Sequence, residues 1–148
     1  MAVYSHILLA VDFTPVTDTV TQQAMELSQA FKARLSLVHV VEFVQMDLSN
    51  DLVMPQALLE IDQGLMKRAR QRLQELAEEL GVDKSECFVT QGSTRREILH
   101  LAVEQNVDLI VIGSHGREGI QRLLGSTANA VLHGAPCDVL AVRVGKPK

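Results

Sequence analysis

Five short apolar runs, separated by longer segments with helical periodicity, constrain the fold of this chain more than any other feature. The runs are Ile7–Val11, Leu35–Val41, Cys87–Thr90, Leu109–Ile112 and Val139–Val144. The first and fourth contain only apolar residues, which is typical of strands buried on both faces of a parallel sheet. Regular alternation of such strands with helices predicts an α/β fold, an open parallel sheet with helices on both faces.

Apolar residues recur at helical spacing between these runs. The predicted helices cover residues 17–31, about 55–80, 94–105 and 126–133. Gly81 follows the second helix as a C′ glycine, and Ser93 or Thr94 is the expected N-cap of the third. The apolar segment Phe43–Met54 lacks a clear period, and three interpretations stay open: a lid, a subunit contact, or cover for the sheet edge.

Composition indicates one globular domain, residues 1–148. Hydrophobic residues make up 47% of the chain and aromatic residues 3%, so the core is expected to be aliphatic. The net charge of −4 argues against a nucleic-acid binder, which carries a concentrated basic face. No apolar run approaches the ~20 residues of a membrane helix, and Met1–His6 lacks the pattern of a signal peptide. A cytoplasmic protein is expected.

The cysteines and histidines do not form a ligand pattern. Cys87 and Cys137 lie outside any C-x-x-C or repeated spacing, which indicates free thiols in a reducing compartment. His133, Cys137 and Asp138 are close in sequence, but Pro136 makes a turn the better explanation, so no metal site is expected.

The segment from Gly113 to Ser126 follows the fourth run and carries the pattern of a ligand site. Open α/β sheets bind ligands beyond the carboxyl ends of their strands. Gly116 can adopt positive φ, which lets N–H groups converge on an anion, and Gly125–Thr127 opens a helix whose free N–H groups favour phosphate. A tight turn with Ser126 as a simple N-cap explains the same residues without a ligand.

Asp12 follows the first run and precedes Phe13, Thr14 and Pro15. Its carboxylate can accept hydrogen bonds from a ribose or hold a metal on phosphates. A turn before Pro15, capped by Asp12, is the alternative. A location across the crevice from Gly113 favours the functional interpretation.

Taken together, these segments resemble the universal stress protein family over essentially the whole chain. The stretches that carry the resemblance are His6–Asp12, Leu37–Val40, Asp108–Gly116 and Ala135–Val142. They are most similar to single-domain bacterial members of the universal stress protein A type. The resemblance implies a Rossmann-like, five-stranded sheet of order 3-2-1-4-5 and a role in the stress response.

The resemblance also implies a site for ATP or a related adenine nucleotide, with Mg²⁺. Asp12 matches the aspartate at the adenosine end, and Val40 the position whose backbone meets adenine. The site residues that the resemblance implies are Asp12, Val40, Gly113, Gly116, Gly125 and Ser126. The hydroxyl of Thr127 and the charge of Arg117 complete the predicted set. Only eight residues, 117–124, separate Gly116 from Gly125, one fewer than in the pattern of nucleotide-binding members.

Two functions stay open at this point. The first is a nucleotide-binding regulatory module, and the second is a dimeric stress protein that acts through protein contacts alone. No catalytic residues are assigned, so the chain is not expected to be an enzyme, although slow ATP hydrolysis is a weaker third possibility. Val139–Val144, at the predicted sheet edge, favours a homodimer, because unprotected edges pair with other chains. Its other protein partners are unknown.

Overall fold

The computed structural model describes residues 3–14, 17–42, 56–114 and 125–143. A 3₁₀ turn, Lys84–Glu86, precedes the third strand. The helices and strands, in chain order, are β1 His6–Ala10, α1 Thr17–Phe31, β2 Arg34–Val41, α2 Gln56–Leu80, β3 Cys87–Gln91, α3 Thr94–Glu104, β4 Leu109–Gly113, α4 Ser126–Gly134 and β5 Asp138–Val142. Phe43–Met54, whose role the sequence left open, lies outside the described residues.

All five strands pair in parallel, in the order β3-β2-β1-β4-β5. The predicted fold class and strand order are therefore confirmed. β1 is central, and the direction of winding reverses between β1 and β4. The last strand lies at a sheet edge as expected, but it ends at Val142 rather than at Val144, which lies outside the described residues.

Two apolar layers cover the two faces of the sheet. The first face packs under α1 and α2, with Val20 and Leu73 in its core. The second face packs under α3 and α4, with Ile98 and Val131 in its core. The central strands are buried on both sides, which explains why their sequences contain almost no polar residues.

Polar side chains hold the amino ends of the central strands. The Asp108 carboxylate accepts hydrogen bonds from the N–H and hydroxyl of Ser5, at 2.8 and 2.6 Å, and from the N–H of His6 at 2.8 Å. The buried His6 ring donates from Nδ1 to the Gln105 carbonyl at 2.9 Å, and its Nε2 lies 2.7 Å from the Ser36 hydroxyl. These bonds fasten the start of β1 to its two neighbouring strands.

The Asp108 carboxylate makes this end of the fold sensitive to acid. The hydrogen bond from the Ser5 hydroxyl, followed by those from the Ser5 and His6 N–H groups, lowers the pKa of Asp108. A carboxylate whose pKa is lowered in the folded state adds stability above its unfolded pKa, near pH 4. That stability is lost as the pH falls through the folded value.

We expect Asp108→Asn to destabilise the fold at neutral pH by about 1 kcal/mol, a figure reduced because the carboxylate is partly exposed. The difference from the unsubstituted protein should be smaller at pH 3 than at pH 7, because below about pH 4 the unfolded state takes up a proton that the folded carboxylate resists. Urea unfolding at the two pH values measures it, with Glu78→Gln on the exposed side of α2 as the control. A difference that is the same at both pH values would contradict this account.

Candidate functional site

The two ends of the glycine-rich segment lie side by side at the carboxyl end of β4. The Gly125 N–H donates to the Ser114 carbonyl at 2.6 Å, and the Ser114 N–H donates to the Val142 carbonyl at 2.8 Å. Ser114 itself is buried. Gly113 and Ser126 are therefore near one another in the fold, although Gly116 and Arg117, between them, lie outside the described residues.

Within the part of the chain that the structure describes, the N–H groups at the start of α4 have no side-chain cap. Gly125 is the N-cap, with φ −61° and ψ 157°, and its carbonyl accepts from the Asn129 N–H at 2.9 Å. The interpretation of Ser126 as a simple N-cap is wrong, because Ser126 is already the first helical residue. The first N–H groups of a helix have no partner within it and carry its positive dipole end. The exposed Ser126 and the half-buried Thr127 lie beside those groups.

Asp12 forms the turn that the sequence offered as an alternative. Its Oδ1 accepts from the Thr14 N–H at 3.0 Å and from the Thr14 hydroxyl at 2.8 Å. This turn is compatible with a ligand-binding role for Asp12, because the two hydrogen bonds from Thr14 fix the Asp12 carboxylate at the exposed carboxyl end of β1. Pro15, which entered the prediction, lies outside the described residues.

Strand register places the predicted site residues of three strands at the same edge of the sheet. Ala10 pairs with Val38, so Val40 lies level with Asp12, two positions further along each strand. Leu9 pairs with Val111, so Gly113 lies level with Val11. Asp12, Val40 and Gly113 consequently share one edge of the sheet, and the winding reverses between the strands of Asp12 and Gly113.

Phe13 is a feature of this edge that sequence reasoning missed. Its φ is +58°, which is rare for a bulky side chain and marks local strain. The ring packs on His39, with centroids 4.6 Å apart, and the Arg72 guanidinium lies 4.3 Å from the ring centroid. His39 Nδ1 in turn donates to the Val11 carbonyl at 2.6 Å. These contacts anchor the loop after β1 to β2 and α2.

A cavity of about 230 Å³ lies between the loop after β1 and α2. It is lined by Phe13, Thr14, Asp18, Arg72, Glu75, Leu76 and Glu79. Three carboxylates face one guanidinium in this lining, which disfavours a polyphosphate there. The start of α4 is the better place for an anion.

The thiols do not form part of this edge. Cys87 and Cys137 are both free, as expected, and burial raises the pKa of each thiol. Over the described ranges, no group of three or more His, Cys, Asp or Glu side chains is arranged to hold a metal ion. None of the described helices is long and apolar enough to cross a membrane.

The fold and the site define a class: doubly wound α/β proteins with a glycine-rich loop at the strand switch point. The model of the Universal stress protein family matches residues 4–143. The chain belongs to the universal stress protein family.

Relatives of similar length support this assignment. Universal stress protein A homolog 2 of Coxiella burnetii is 42% identical over 142 residues, which cover 95% of this chain and 96% of that protein. Homolog 1 of the same organism is 37% identical over 139 residues, covering 94% and 96%.

Solved structures confirm the fold. Universal stress protein UspA from Lactobacillus plantarum superimposes with a TM-score of 0.76 at 23% identity, covering 95% of this chain and 98% of that one. A universal stress protein solved in complex with cAMP superimposes with a TM-score of 0.56 at 22% identity, covering 94% and 96%.

His39 provides a direct check of the loop geometry. A carbonyl oxygen only accepts hydrogen bonds, so Nδ1 of His39 must carry its hydrogen to bond Val11. We expect long-range ¹H–¹⁵N spectra to show a protonated Nδ1 for this ring. A neutral ring protonated only at Nε2 would show that the loop is not held as described.

Proposed function

We propose that this stress-response protein binds an adenine nucleotide at the carboxyl edge of its sheet and acts as a regulatory binding module. The observation that carries the proposal is the backbone hydrogen bond between Gly125 and Ser114. It keeps the two halves of the glycine-rich motif together although the loop between them is one residue shorter than the family pattern.

The start of α4 is proposed to hold the phosphates. Ser126 and Thr127 offer the phosphates hydrogen-bond donors from their N–H groups and hydroxyls. The helix dipole favours negative charge beside them. Gly116 and Arg117 are proposed to add N–H donors and a positive charge from the loop. Mg²⁺ would neutralise the remaining phosphate charge.

The nucleoside is proposed to lie toward β1 and β2. Asp12, held by its turn, offers a carboxylate to the ribose, and the backbone of Val40 offers hydrogen-bonding groups to adenine. The cAMP complex of a universal stress protein supports the choice of an adenine nucleotide, because the two chains share a fold. No catalytic role is proposed for any residue at this edge.

Titration calorimetry with ATP, ADP and AMP tests the proposal, and we expect micromolar-type affinity. Ser126→Ala should weaken ATP binding about ten- to a hundredfold, because it removes a hydrogen bond to a charged group. Gly116→Val should weaken it at least as much, because valine cannot readily adopt the positive φ that the sequence predicts for this glycine.

Ser85→Ala, at the amino end of the sheet, is the matched control and should bind ATP like the unsubstituted protein. Absence of heat at millimolar nucleotide would reject the proposal. The alternative, a dimeric stress protein that acts through protein contacts alone, would then take its place. Steady phosphate release at about 1–100 per second would instead reveal an enzyme.

We also propose that the protein is a homodimer joined through β5. β5 is an edge strand, and the Val142 carbonyl faces β4, where it accepts from Ser114. Since successive residues of a strand point their backbone groups in opposite directions, Val139 and Ala141 direct theirs away from β4. Those unpaired groups can bond the same strand of a second copy.

Ala141→Pro should convert the dimer to a 16.3 kDa monomer, because proline removes an outward-facing N–H without interrupting the ladder to β4. Light scattering at micromolar concentration measures the mass, and circular dichroism verifies the fold. Val89→Pro, at an outward position of the other edge strand β3, is the control and should remain dimeric. A monomeric unsubstituted protein would contradict the proposal.

A further inference from the structure

Thr90 carries a buried hydroxyl without a partner at the carboxyl end of β3. Within the described residues its Oγ1 has no hydrogen bond, although the atom is shielded from solvent. Leaving a buried polar group unsatisfied is costly, and folded proteins do so rarely. A ligand would satisfy the hydroxyl once the side chains that shield Oγ1 move aside.

Thr90 lies beside the residue proposed to meet adenine. It pairs in register with Val40 of β2. Phe88, two positions earlier on β3, packs with the second apolar layer, and Val40 belongs to that layer. Because side chains alternate along a strand, Thr90 and Val40 share this face of the sheet.

The neighbouring polar groups already have partners, in contrast to Thr90. The Thr94 hydroxyl donates to the Glu42 carboxylate at 2.8 Å, and the Gly92 N–H donates to the Val41 carbonyl at 3.0 Å. Nε2 of Gln91 is also unpartnered, but alternation places that side chain on the opposite face, away from Val40.

We infer that Thr90 is a base-reading residue whose hydroxyl hydrogen-bonds the edge of the bound adenine. A hydroxyl both donates and accepts, so it can rotate to meet a ring nitrogen or the exocyclic amino group. The inference rests on the proposed function and adds a side-chain contact to the backbone contact at Val40. Among the described residues the hydroxyl has no partner, and the ligand is inferred to supply one.

The substitution Thr90→Val distinguishes a role of Thr90 in adenine recognition from a role in stabilising the fold. Valine has nearly the same shape and suits a strand, so the variant should fold with a melting temperature equal to or above that of the unsubstituted protein. Its affinity for ATP should fall about 5- to 100-fold, because the base edge loses its partner. Sodium tripolyphosphate, which has no base, should bind both proteins equally.

Thr21→Val is the matched control. Thr21, on α1 at the opposite face, is buried and its Oγ1 is likewise unpartnered, so this variant should keep its stability and its full ATP affinity. An equal loss of affinity in both variants would overturn the inference.

Other results would also overturn the inference. A Thr90→Val variant that binds ATP normally, melts lower without ligand, or loses tripolyphosphate as strongly as ATP would show that Thr90 does not read the base. If the unsubstituted protein binds no ATP, the proposed function fails first and this inference fails with it. If it does bind ATP, the variants test Thr90 alone.

Discussion

The hydrogen bond from the Gly125 N–H to the Ser114 carbonyl ties the end of β4 to the start of α4. This hydrogen bond brings together the two ends of the segment 115–124 and so closes it. A second hydrogen bond, from the Ser114 N–H to the Val142 carbonyl, ties Ser114 to β5. The proposed site depends on this closure, because it brings Gly113 and the α4 N-terminus to the edge where Asp12 and Val40 lie. The closure also engages the Gly125 N–H, so the phosphate binding that we propose relies on the N–H groups of Ser126, Thr127 and the loop.

The two ends of the sheet are built differently. At the amino end, Asp108 accepts hydrogen bonds from Ser5 and from the His6 N–H, and the His6 ring bonds Ser36. Arg34 pairs with Glu86 there, which lowers the pKa of the Glu86 carboxyl. At the carboxyl end, counting only described residues, the start of α4 has no side-chain cap and the Thr90 hydroxyl has no hydrogen-bond partner.

The sequence predicted most of the fold because the strong signals were local. Apolar runs and helical periods placed the described helices and strands within two residues of their observed bounds. The strand order was predicted from the resemblance of the sequence to the universal stress protein family. The N-cap of α4 was less certain, because serine commonly occupies that position and glycine takes it here.

The contacts that could not be predicted join residues far apart in the chain. Nothing near Phe13 indicates its positive φ or its packing between His39 and Arg72, since both partners come from other elements. The hydrogen bond from the Ser5 hydroxyl to the Asp108 carboxylate also joins residues far apart, 103 positions along the chain. For the loop that contains Gly116 and Arg117, the described residues show only where its ends meet.

Backbone amide NMR during an ATP titration tests the central claim most directly. If the carboxyl edge is the nucleotide site, the largest shift changes will fall on Asp12, Val40, Gly113 and Gly125–Thr127, while His6 and Asp108 at the amino end stay unchanged. A spectrum that ATP leaves unaltered at millimolar concentration, or changes concentrated away from this edge, would contradict the account.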